Sequence, residues 1–74
     1  MSDLRDFQSM MRRFGFSQVT MPQELTDLPD MTYVICENES KDTEVILGGL
    51  GDVPHAVWTF DDHGEFLEHS AYDL

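Results

Sequence analysis

Thr32-Tyr-Val-Ile-Cys-Glu37, then Asn38-Glu-Ser-Lys-Asp42, then Glu44-Val-Ile-Leu47: two runs rich in β-branched and aromatic residues flank a polar turn. Such a pattern reads as two strands joined by a hairpin. Working toward the C-terminus, Gly48, Gly49 and Gly51 with Asp52 and Pro54 break the chain. Ala56 to Phe60 then reads as a third strand, Asp61-Asp-His-Gly64 as a turn, and Glu65 to Tyr72 as a last strand. Period-two alternation groups Tyr33, Ile35, Ile46, Trp58 and Phe60 apart from Val34, Cys36, Val45, Leu47 and Val57. Both groups are apolar, so neither face of this sheet is freely solvated.

Toward the N-terminus the period changes. Leu4, Phe7, Met11 and Phe14 form one helical stripe over residues 3–14. Ser2 suits the N-cap, Asp3 and Asp6 the first turn, Arg12 and Arg13 the last, and Gly15 the position just beyond. Phe16 to Met21 reads as a short strand that ends at Pro22, so it lies at a sheet edge or stops there. Pro22 to Pro29, with Leu25 and Leu28 three apart, reads as one or two helical turns flanked by Glu24 and Asp27. The expected architecture is α+β: about five antiparallel strands with two helices packed on the sheet, residues 1–74 forming one domain.

Composition narrows the function. With 74 residues the chain makes one small domain, and 41% hydrophobic with 11% aromatic residues is too rich for a disordered tail. Fifteen acids against four Lys and Arg give a net charge of −11. The imbalance is local: residues 1–13 sum to +1, while from Phe14 onward thirteen acids face only Lys41. A surface of that sign repels nucleic acid and anionic membrane, and it suits a basic partner or the site where a protein holds DNA. A lone Cys36 offers no internal disulfide, and the charged start Met1-Ser-Asp-Leu-Arg-Asp6 does not read as a signal peptide. The expectation is a soluble, intracellular protein.

Catalytic readings find little to stand on. His55, His63 and His69 with Asp61, Asp62 and Glu65 match no metal-ligand spacing. Cys36 lies in an apolar strand, where a thiol packs rather than reacts. Ser17, Ser40 and Ser70 sit in no nucleophile turn, and the glycines fit no phosphate loop. Neither enzyme, cofactor nor metal is expected. A binder remains, and its surface is located by the edge strand bearing Ser17 and Gln18 and by the acids Glu24 and Asp27 beside Leu25 and Leu28.

The order of elements resembles the phage uracil-DNA glycosylase inhibitors of the Ugi type. Pro22-x-Glu24, Glu39-Ser40-x-Asp42, Val45-x-Leu47, Pro54-x-Ala56 and Asp61-x-x-Gly64-Glu65 carry the likeness over residues 3–68, with a shortened loop near Gly49–Asp52. Their order and spacing make the match; no single stretch does. The resemblance implies a stoichiometric inhibitor that mimics DNA in the cytoplasm of a bacterial host cell, bound one-to-one to the glycosylase without touching nucleic acid itself. Glu24 and Asp27 then match acids that replace phosphates, and Ser17 matches a serine of the edge strand, with Gln18 beside it. Leu25, Leu28, Tyr33, Ile46 and Trp58 match the apolar pocket that receives the enzyme's minor-groove leucine. The rival is an acidic DNA mimic aimed at another host protein, such as a restriction enzyme or a CRISPR effector. An adaptor domain with a merely acidic surface is a third reading.

Overall fold

A computed structural model describes residues 2–50 and 53–72. Of the residues singled out above, Gly51, Asp52 and the side chains of Pro54, His55 and Tyr72 lie outside the description. The chain begins with helix α1 (Asp3–Arg13) and continues into a short strand β1 (Ser17–Gln18) and a three-residue 3-10 turn (Leu25–Asp27). Strands β2 (Thr32–Glu37), β3 (Thr43–Leu50), β4 (Val53–Phe60) and β5 (Phe66–Tyr72) complete it.

Local chemistry accounts for α1. The Arg5 N–H donates to Ser2 Oγ at 3.2 Å, the N-cap bond expected of a serine there. At the other end Gly15 takes φ +92° and donates to the Arg12 carbonyl, closing the helix in the left-handed region that glycine enters without strain. Phe7 and Met11 are buried beneath it.

The strands form one sheet in the order β1-β2-β3-β4-β5. Three neighbouring pairs are antiparallel, but β1 runs parallel to β2, with Ser17 opposite Thr32 and Gln18 opposite Tyr33. The all-antiparallel sheet with two helices is therefore corrected to a mixed sheet with one helix and one 3-10 turn. The reason is the connector between β1 and β2. A parallel neighbour needs a crossover rather than a hairpin, and residues 19–31 supply it by passing over one face of the sheet. The i, i+3 spacing of Leu25 and Leu28 suits a 3-10 turn as well as an α-helix, and prolines at 22 and 29 leave no room for more.

Two cores result. Against the helix face pack Phe7, Met11, Phe16, Tyr33, Val45, Leu47 and Phe60, with Leu4, Ile35, Ala56 and Trp58 at the margin. Against the connector face pack Leu28, Val34, Ile46 and Val57, with Val19, Leu25 and Cys36 beside them. The observed register pairs Val34 with Ile46 and Ile35 with Val45. Ile46 thus belongs with Val34, and Val45 and Leu47 belong with Tyr33. The expected grouping had the phase of β3 inverted, because alternation fixes faces within a strand but not between strands.

The residues expected to break the chain also behave otherwise: β4 begins at Val53, so the backbone of Pro54 lies within the strand and not before it. Gly48 and Gly49 lie inside β3 and are buried. A Cβ at Gly48 would collide with the Pro29 carbonyl, which also accepts the Thr32 hydroxyl at 2.6 Å. The missing side chain is what lets the connector's end settle on the sheet.

Candidate partner-binding surface

The edge strand is where the sequence places it, although shorter than expected. Ser17 and Val19 donate their N–H groups to the Met31 and Tyr33 carbonyls, so both face β2. By alternation the backbone groups of Gln18 point the other way, toward the open edge. Ser17 and Gln18 are both exposed.

The connector carries the carboxylates. Glu24 caps the 3-10 turn through its carbonyl, accepting from the Asp27 N–H at 3.0 Å, and its side chain accepts the Thr26 hydroxyl at 3.4 Å. Both Glu24 and Asp27 are exposed. Beneath them Leu28 is 5% exposed and Ile46 3%, while Leu25 is half-buried. No base occurs between Phe14 and Ser40, so the patch carries one sign of charge.

The expected pocket is divided by the sheet. Leu25, Leu28 and Ile46 share the connector face. Tyr33 and Trp58 belong to the helix face, and they cannot line the same recess. Tyr33 is fully buried, and its hydroxyl finds no hydrogen-bond partner among the described residues. Trp58 stacks on His69 at 4.2 Å between ring centroids and lies 5.0 Å from Phe7.

The helix face holds features that the sequence reading passed over. A groove of about 370 Å³ runs between α1 and β5, walled by Asp3, Asp6 and Met10 and floored by Trp58, Phe60 and Phe66. A second, of about 380 Å³, lies near the end of α1 among Phe14, Phe16, Met31, Leu47 and Trp58. The available signal was a second helical spacing, Asp3-Asp6-Met10-Arg13, beside the core stripe.

Several quoted motifs serve turns. Asp61 Oδ1 accepts from the His63 and Glu65 N–H groups at 2.8 Å, and Gly64 turns the chain at φ +83°. The Glu65 N–H bond, above all, holds the Asp61 carboxyl below the ordinary carboxylate range. Asn38 Oδ1 likewise accepts from Ser40 and Asp42. Cys36 meets the Glu44 carboxylate at 3.9 Å, and burial followed by that charge raises its pKa, which disfavours the reactive thiolate. Among the described residues no three His, Cys, Asp or Glu side chains converge as metal ligands. No helix there is long and apolar enough to cross a membrane.

Compared with protein-family models, with curated proteins and with solved structures, the chain matches none.

Proposed function

We propose that the chain is a stoichiometric protein inhibitor of uracil-DNA glycosylase, working through β1 and the connector face. The observation that carries the reading is continuity. An open strand edge at Ser17-Gln18 runs directly into a connector whose exposed Glu24 and Asp27 overlie the apolar group Leu25, Leu28 and Ile46. A DNA-binding groove offers cationic and N–H groups spaced for phosphates, and carboxylates at the edge of a narrow domain satisfy them. The backbone of Gln18 supplies further hydrogen bonds along the groove. The enzyme's leucine would lodge among Leu25, Leu28 and Ile46, without Tyr33 or Trp58.

One observation favours a second reading. Leu28 is only 5% exposed, so the apolar group is closed in the free protein, as suits a DNA mimic of another target that needs no pocket. The test is a titration of a bacterial uracil-DNA glycosylase in a uracil-excision assay, at moderate and high salt. Stoichiometric loss of activity that survives high salt, weakened by Glu24→Ala with Asp27→Ala and by Leu25→Ala, is the expected result. Full activity at micromolar excess of this protein sinks the glycosylase reading for that enzyme. Inhibition that Leu25→Ala leaves intact moves the account to mimicry without leucine capture.

A further inference from the structure

A single helix is too narrow for the sheet it covers. Five strands about 4.8 Å apart span roughly 19 Å, whereas a helix with its side chains is about 10 Å across. The uncovered strip is the groove between α1 and β5, whose floor of Trp58, Phe60 and Phe66 is aromatic and whose wall carries Asp3 and Asp6. Met10 and Phe66 on it are 43% and 47% exposed. An apolar strip with an acidic rim calls for an occupant that is apolar and basic.

This chain itself carries such a segment. Arg12-Arg13-Phe14 holds two of its four Lys and Arg residues, and Phe14, at 65%, is the most exposed large apolar side chain among the described residues. Along α1 the residues Asp3, Asp6, Met10 and Arg13 fall three, four and three apart, so they line one flank of the helix. That flank is acidic at its start, apolar at its middle and basic at its end, which makes it complementary to itself when reversed.

We propose that two copies of the chain associate through this flank, with the two α1 helices antiparallel about a two-fold axis near Met10. Arg13 of each copy then meets Asp6 of the other, and Phe14 of each lies toward the aromatic floor of the other's groove. The Phe66 N–H donates to Asp3 Oδ2 at 2.9 Å, fixing the floor beside the start of α1, where the reversed helix delivers its basic end. Such a contact is isologous and closes at two copies. The helix that carries the flank belongs to the least negative part of the chain, since residues 1–13 sum to +1 in a chain of −11. It lies on the opposite face from β1's connector, so it neither needs nor blocks the proposed inhibition.

Sedimentation equilibrium of the intact chain over a range of concentrations, at physiological salt, tests the proposal. A monomer–dimer equilibrium is expected, weakened roughly tenfold or more by Asp6→Arg and by Arg13→Asp. The double variant keeps the net charge and restores the dimer. Asp6→Arg alone makes the chain less negative, so a weakened dimer in that variant opposes the general charge effect. All of these positions are exposed, and circular dichroism confirms that each variant is folded. A chain that stays monomeric at millimolar concentration overturns the proposal. So does a dimer indifferent to both single changes, or one that the double change does not restore.

Discussion

The two faces of the sheet solve the same problem with different means. On one side an eleven-residue helix, capped at both ends, lays Phe7 and Met11 onto Tyr33, Val45 and Phe60. On the other a connector with a three-residue 3-10 turn lays Leu28 onto Val34, Ile46 and Val57. The helix satisfies its own backbone; the turn satisfies little beyond Asp27 N–H to Glu24 and Leu28 N–H to Leu25. Fewer internal bonds mean lower local stability. The helix face is the more firmly bonded of the two, and the connector face is the one we propose meets a partner.

The comparison is broken most severely at Phe60. It is 1% exposed and touches the rings of Phe7 and Phe66. Phe60→Ala should cost about 3–5 kcal/mol. A 74-residue domain holds only about 4–11 kcal/mol at ~0.05–0.15 kcal/mol per residue. Urea denaturation should find this variant at or beyond the edge of folding.

Gly48→Ala acts on the other face, driving a methyl into the Pro29 carbonyl. The expected loss is about 2–3 kcal/mol, the scale of overpacking against backbone, with faster amide exchange in residues 24–29. Leu28→Ala should cost about 2 kcal/mol, at the low end for leucine because a connector with few internal hydrogen bonds collapses into the space more readily than a helix does. Equal losses for Leu28→Ala and Phe60→Ala in the same denaturation series would erase the distinction between the faces.

Smaller changes sharpen it. Tyr33→Phe removes a fully buried hydroxyl without a partner among the described residues, and should raise the unfolding midpoint by the equivalent of about 1 kcal/mol. Asp61 gives a pH handle on the hairpin that abuts α1 through Leu4 N–H and the Gly64 carbonyl. Its folded-state pKa lies below the unfolded value of about 3.9, so its contribution is present above that pH and is lost as pH falls through the folded value. Carboxyl chemical shifts measured by NMR should show Asp61 titrating below an unfolded reference, and Asp61→Ala should remove the effect.

The helix was legible in the sequence because cap, stripe and stop signal agree at Ser2, Phe7 and Gly15. The existence of the four long strands was legible from their β-branched and aromatic runs, but the facing ends of β3 and β4 were not, since Gly48, Gly49 and Pro54 lie inside strands rather than between them. What escaped were relations between elements. Leu25 and Leu28 specify a contact face but not whether the turn is α or 3-10. Register decides that Ile46 sits with Val34, and that Tyr33 and Trp58 lie across the sheet from Leu28. No single-strand pattern contains that information. The turn stretches that contribute to the Ugi-type resemblance also have local work to do: Asp61, Gly64 and Asn38 close hairpins. Any chain with those hairpins would favour them, so the burden of the functional reading falls on Ser17, Gln18, Glu24, Leu25, Asp27 and Leu28.

Amide hydrogen exchange of this protein, alone and mixed with an equimolar bacterial uracil-DNA glycosylase, tests that burden most directly. The account predicts new protection at residues 17–19 and 24–28, with residues 4–13 and 66–70 unchanged. Protection confined to α1 and β5, or none at any position, would contradict it.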